Sequence, residues 1–344
     1  MGIQGTFLTM RILVTGASGM LGKAVATAFA VRGDDVVVLQ RRPSGLALDE
    51  ILGDISDPVV CQTAVQGADG IAHLAAKVGI VGAWPDYQRI NVDGTRTLLN
   101  AAKAAGVGRF VQVSSPSVAY VGHSLIGAPA AAADPYLARG FYSRSKALAE
   151  LLVLGEHSPK FAVVAVRPHL VWGPGDTQLV ARIVERGRSR RLVIVGKGTS
   201  LIDTTYVDNA AEAVVAAMDN AQSAGGQAYV VSNAEPRPVA DIISAICQAA
   251  RVPGPRFRVP FRLARAGGTF IDAWWSWRKM ESDPPITAFL AEQLATAHWF
   301  DQQRTQDALN WKPRVSLDEG FAVLTASYSA LSGGTGETEV GASG

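Results

Sequence analysis

The twelve residues Arg11–Gly22, RILVTGASGMLG, constrain the fold of this chain more than any other stretch. A short, largely β-branched run from Ile12 to Thr15 meets Gly16, and Gly19 and Gly22 follow at three-residue spacing. Beyond them Met20, Leu21, Ala24, Val25, Ala28 and Phe29 recur on one helical face. The pattern predicts strand, tight turn and helix in immediate succession. Gly16 permits the sharp turn, Gly19 lets backbone approach a phosphate, and Gly22 lets the helix pack close to the strand. The helix start, with Ser18 and Met20 beside the glycines, then offers bare N–H groups to a dinucleotide pyrophosphate.

Strands and helices keep alternating after this unit. Asp35–Leu39 reads as a strand buried on both faces, ending in Gln40, Arg41 and Arg42. An NAD site commonly places an acid near this point for the ribose 2′-hydroxyl. Here two guanidinium groups suit a 2′-phosphate instead, so NADP(H) is expected ahead of NAD(H). Ile51–Asp54 is a short strand whose Asp54 can accept from an adenine amino group. Ile71–Ala76 is another, with Ala75 and Ala76 small enough to pass close to a cofactor and His73 as a packed structural histidine. Further strands are expected at 110–115 and 161–167, with helices over 89–105 and from Tyr142 onward. This order argues an α/β, Rossmann-type doubly wound parallel sheet over residues 10–170.

The pattern is less regular from 171 to 330, where a smaller, mixed α/β substrate lobe is expected. It holds a helix at 179–188, short strands at 192–195 and 202–206, a helix at 208–218 and a last helix at 317–331. A strand near 227–232 returns to the main sheet. Residues 1–9 and 332–344 are expected to be disordered. Residues 251–279 carry seven Lys or Arg against Asp272, with Leu263, Phe270, Trp274 and Trp277 at helical spacing. Such a basic amphipathic helix closes over a substrate, lies on a membrane surface or covers a core. As a lid it would set Phe270, Trp274 or Trp277 against an alkyl chain, with Arg256, Arg258, Arg262 or Arg265 near a carboxylate.

A net charge of +2 over 344 residues gives no reason to expect nucleic acid. Cys61 and Cys247 lie apart and are expected to be reduced, and no metal-ligand spacing occurs. No apolar run reaches the ~18 residues of a membrane span, and no signal peptide is visible. A soluble cytoplasmic protein is expected, with peripheral membrane or enzyme-complex association left open.

Ser115, Tyr142 and Lys146 are the groups a hydride-transfer site would use. A carbonyl accepting hydride needs a proton as negative charge builds on oxygen. Tyr142 and Lys146, four apart, share a helix face, and an ammonium there favours tyrosinate. Ser115 can hold the carbonyl oxygen, and Lys146 can also bond the nicotinamide ribose.

The motifs TGASGMLG (15–22), GD (53–54), HLAA (73–76), NVDGT (91–95), SSPSV (114–118), YSRSK (142–146), RPHLVWGPGD (167–176) and TTYVDNA (204–210) occur in an order that resembles the extended short-chain dehydrogenases/reductases, within their 3β-hydroxysteroid dehydrogenase-like branch. The resemblance implies a catalytic Ser115–Tyr142–Lys146 triad, Gly16, Gly19 and Gly22 as the glycine motif, Asp54 as the adenine-binding acid, and Pro168 and His169 along the nicotinamide. Several stretches, including RPHLVWGPGDTQLV and DPPITAFLAEQLATAHWF (283–300), are similar to the ketoreductases of bacterial long-chain olefin biosynthesis. That similarity implies NADPH-dependent reduction of a 2-alkyl-3-oxoalkanoate, a lipid-like small molecule. Tyr206, Phe270 and Trp274 are expected among the substrate contacts, and a homodimer is expected as the assembly. A 3β-hydroxysteroid dehydrogenase is the alternative. A sugar-nucleotide epimerase and a non-catalytic nucleotide sensor are weaker readings.

Overall fold

A computed structural model describes residues 9–79, 82–119, 124–264, 266–267 and 296–333. Phe270, Trp274, Trp277 and Arg265 lie outside these residues, as do 1–8 and 334–344.

Seven parallel strands form the central sheet: β1 (Arg11–Thr15), β2 (Asp35–Gln40), β3 (Asp49–Leu52), β4 (Gly70–His73), β5 (Arg109–Val113), β7 (Ala162–Pro168) and β12 (Gln227–Val231). Their spatial order is β12-β7-β5-β4-β1-β2-β3. Pleating sends neighbours along a strand to opposite faces, and both faces here are covered. Ile12 and Val14 join a core under α1 (Met20–Arg32) and α7 (Val207–Asp219). Leu13 enters the opposite core, under α2 (Pro58–Ala64), α4 (Gly94–Ala104) and α5 (Gly140–Leu154). The helix leading into α4 starts at Trp84–Tyr87 (α3) and widens to one π turn over Gln88–Asp93.

Strand order reverses between β1 and β4, so a crevice opens at the carboxyl ends of the strands. The second lobe stands over that crevice. It contains β8 (Val171–Trp172), α6 (Leu179–Arg188), β9 (Val193–Val195), β11 (Thr205–Tyr206), α9 (Val239–Ala249), β14 (Phe257–Val259) and the helix Leu317–Gly333. A four-stranded sheet, β13-β10-β15-β6, joins β6 (Leu125–Ala128), β10 (Leu201–Ile202), β13 (Arg237–Pro238) and β15 (His298–Phe300).

Three expectations change. The strand at 202–206 is two short strands in different sheets, β10 and β11, separated by Asp203 and Thr204. The start of the basic 251–279 segment is not helical: β14 pairs in parallel with β9. Pro253, Pro255 and Pro260 explain this, because proline removes the N–H a helix needs. The last helix runs through Gly333, two residues into the stretch expected to be disordered.

Candidate active site

The glycine loop is built by close backbone contacts. Gly16 has φ 81°, and a Cβ there would sit 2.8 Å from the Ala75 nitrogen. A Cβ on Gly22 would come within 2.2 Å of the Gly16 carbonyl oxygen, so α1 can pack this close only with glycine. At Gly19 a Cβ would meet no protein atom nearer than 3.6 Å, so protein packing does not demand glycine there. Gly19 begins α1 without a side-chain cap, and the first turn holds no acid. Those N–H groups and the positive helix end remain suited to an anion.

Around this loop the carboxyl ends of β1, β2, β4, β5 and β7 line one cavity of about 1420 Å3. Gly16, Ser18, Gly19, Met20 and Gly22 form one part of its wall, and Arg41, Arg42 and Asp54 another. Ala75, Ala76, Ser115, Tyr142, Lys146, Pro168 and His169 continue it. Asp54 accepts from the Ser56 N–H and hydroxyl at 2.9 and 2.8 Å and lies 3.2 Å from Arg89 Nη1. Burial alone would raise its pKa, but the Ser56 bonds and Arg89 outweigh it and hold the carboxyl below its usual range.

Tyr206 does not line the cavity. It is 3% exposed, and its ring packs edge-on to Trp172 with centroids 5.5 Å apart. Its strand pairs with β8 in the register Tyr206 to Trp172, which places both rings in the second lobe's core. Arg256, Arg258 and Arg262 are exposed and likewise do not line the cavity. Val259, Leu263 and Ala264 from that segment do, as apolar wall.

Tyr142 and Lys146 stand one turn apart on α5. The Lys146 ammonium is buried and donates to the Val113 carbonyl at 2.6 Å. Burial, opposed by Glu150, lowers its pKa to about 8. Behind it Glu150 pairs with Arg167 through two hydrogen bonds of 2.9 and 2.5 Å, both side chains at most 2% exposed. Tyr142 shares a side-chain hydrogen bond with Ser115, yet enclosure dominates and pushes the phenol up to about 12. The phenol of the free protein is therefore protonated, whereas the i, i+4 lysine alone led to the expectation of a lowered value. Ser115 Oγ accepts from Ser117 Oγ at 3.0 Å, which leaves its own O–H to donate.

Asn91 and Thr95, given no role by the sequence, help to set this geometry. Asn91, in the π turn, accepts from Lys77 N–H at 2.6 Å and donates to Ser145 Oγ at 2.9 Å, tying α5 to the loop after β4. Thr95 donates to the Asn91 carbonyl, so His73 Nε2 must donate to Thr95, and His73 Nδ1 accepts from Thr15. Burial, then the Lys146 charge, lowers His73 to about 3, and it stays a neutral structural link. Ser114 Oγ, Gln40 Oε1 and His169 Nδ1 are buried without partners, and all three residues line the cavity. His169 is lowered to about 3 by burial and by His298, while its ring also bonds the Asp203 backbone. Among the described residues no cluster of three potential metal ligands occurs and no helix is long and apolar enough to cross a membrane.

The comparisons with known proteins agree with this architecture. The profile of the NAD dependent epimerase/dehydratase family matches residues 12–232. A 2-alkyl-3-oxoalkanoate reductase of Stenotrophomonas maltophilia is 37% identical, over 93% of this chain and 100% of its own. A 3-beta-hydroxysteroid dehydrogenase of Mycolicibacterium neoaurum is 28% identical, over 93% of this chain and 92% of its own. The solved structure of MoeE5 in complex with UDP-glucose and NAD shares the fold, with a TM-score of 0.71 and 24% identity over 93% of this chain and 99% of that one. The chain thus belongs to the NAD-dependent epimerase/dehydratase family, the extended short-chain dehydrogenases/reductases.

Proposed function

We propose that the protein reduces the ketone of a long-chain 2-alkyl-3-oxoalkanoate to the 3-hydroxy acid with NADPH. The observation that carries this reading is one continuous cavity. Its wall passes from the glycine loop, through Ser115, Tyr142 and Lys146, to aliphatic side chains of α6, α9 and β9 such as Ile183, Ile242 and Val193. Apolar lining of that kind favours an alkyl chain over a hydroxyl-rich sugar, because sugar hydroxyls need partners when desolvated. The relative named 2-alkyl-3-oxoalkanoate reductase supports the same substrate class.

The residues present fit a dinucleotide. The uncapped, acid-free start of α1 suits its pyrophosphate, and the unpartnered Gln40 Oε1 suits a ribose hydroxyl. Arg41 and Arg42 at the cavity rim suit a 2′-phosphate, so NADPH is preferred and NADH accepted less well. A reduced nicotinamide bound here supplies the hydride. Tyr142, protonated at neutral pH, gives its proton to the substrate's carbonyl oxygen, and Ser115 donates a second hydrogen bond to that oxygen. Lys146, held on the Val113 carbonyl, stabilises the tyrosinate left behind. Residues 10–170 with β12 serve the cofactor and the rest of the chain serves mainly the substrate.

The test is cofactor absorbance with long-chain 2-alkyl-3-oxoalkanoates and NADPH, beside 3β-hydroxysteroids and NAD+. Turnover of the oxo acids is expected. Turnover of the steroids alone would assign the site to a rigid ring system instead.

A further inference from the structure

Arg41 and Arg42 are exposed side chains on the turn after β2, and both line the cavity. Long side chains on a free turn hold a phosphate poorly, because ordering them opposes binding. This turn is tied down by Glu50 of the edge strand β3. Glu50 pairs in parallel with Val38, so it shares a sheet face with Val38 and with Gln40 two residues on. Its Oε1 accepts from Gln40 Nε2 just before the arginines, and from the Ser44 N–H at 2.8 Å just after them. The Ser44 hydroxyl also donates to this carboxylate, and accepts from the Leu46 N–H at 3.1 Å. These bonds, the one from the Ser44 backbone foremost, hold the Glu50 carboxyl below its usual range. Gln40 and Ser44 are buried, while Arg41, Arg42 and Pro43 between them are exposed. One carboxylate thus grips both ends of the turn that carries the two guanidinium groups.

We propose that Glu50 is a positioning residue for the 2′-phosphate site, fixing the 40–44 turn so that Arg41 and Arg42 are held at the cavity rim; this rests on the NADPH preference proposed above. Charge and position here act with opposite signs. Glu50 is an anion beside a site for an anion, so by charge alone its removal would strengthen NADPH relative to NADH. Acting through the turn, its removal weakens NADPH relative to NADH, because the arginines must then be ordered as the phosphate binds. Any slackening of Gln40 is felt by both cofactors alike, so the ratio of their affinities reads the two arginines.

The test is fluorescence titration with NADPH and with NADH of the unaltered protein, Glu50→Ala and Glu50→Gln. Glu50→Ala is expected to lower the ratio of NADPH to NADH affinity roughly tenfold. Glu50→Gln keeps a side-chain oxygen for Gln40 and Ser44, and is expected to recover most of that loss. A ratio that stays constant or rises in Glu50→Ala would overturn the proposal, as would a glutamine variant that recovers nothing. Amide hydrogen exchange of the unaltered, cofactor-free protein is a second measurement, should Glu50→Ala fail to fold. The Ser44 and Leu46 N–H groups are expected to be protected, and exchange as fast as in an unstructured peptide would overturn the clamp. An unaltered protein that binds NADPH no tighter than NADH would remove the cofactor preference and the proposal with it. A preference that survives intact in Glu50→Ala removes the proposal alone.

Discussion

Replacing Lys146 by methionine exposes the energetic conflict built into this site. The ammonium is enclosed, and burial, opposed by Glu150, brings its pKa from 10.5 to about 8. At about 1.36 kcal/mol for each pH unit, the charged form is disfavoured in the fold by roughly 3 kcal/mol. Below about pH 8 the group is charged in both folded and unfolded chains, and the whole penalty applies. Between about 8 and 10.5 the unfolded chain binds the proton more tightly than the folded one, so stability rises with pH. Above that window the penalty is gone. Methionine keeps the length of the side chain without its charge, but it strands the Val113 carbonyl at a cost of about 1–3 kcal/mol. At neutral pH Lys146→Met is therefore expected to match the unaltered protein in stability or exceed it by up to about 2 kcal/mol, though inactive. Urea unfolding over a pH series reads the sharper quantity, the gap between the two proteins. The unaltered protein should gain roughly 3 kcal/mol on the variant between about pH 7 and 10.5. A gap that stays constant, or moves the other way, would refute the claim that the ammonium is held at an electrostatic cost.

Arg41→Ala with Arg42→Ala should weaken NADPH by about 1–3 kcal/mol and leave NADH unchanged, as read by cofactor fluorescence titration; equal losses for both cofactors would remove the 2′-phosphate assignment. Glu150→Gln leaves the buried Arg167 guanidinium without its counter-charge, so denaturant unfolding should show a loss of about 3–5 kcal/mol. The same change removes the charge that raises Lys146, so the rise of stability with pH should begin at lower pH than in the unaltered protein.

The parts of this protein that are legible in its sequence are those written by local rules. The glycine spacing at 16, 19 and 22 answers to a contact of a few ångströms within one turn, and the bounds of α6 at Leu179–Arg188 follow from apolar periodicity. Tyr206 was not legible, because whether an aromatic ring faces a cavity or a core depends on its strand partner, here Trp172, 34 positions earlier. The same holds for the pairing of Ile202 with His298 across the second lobe. Residues 251–260 offer a local signal that composition outweighs: the basic content suggests a helix, while Pro253, Pro255 and Pro260 argue against one.

The central claim is that hydride passes from the reduced cofactor to a ketone carbon while Tyr142 supplies the proton. Its most direct test uses NADPH carrying deuterium at both C4 positions, a long-chain 2-alkyl-3-oxoalkanoate, and mass spectrometry of the product with the unaltered protein and with Tyr142→Phe. The account predicts one deuterium at C3 of the hydroxy acid. It also predicts product formation slower by roughly a hundredfold or more in the variant, with NADPH binding retained. Product without deuterium at C3, or a variant as fast as the unaltered protein, would contradict it.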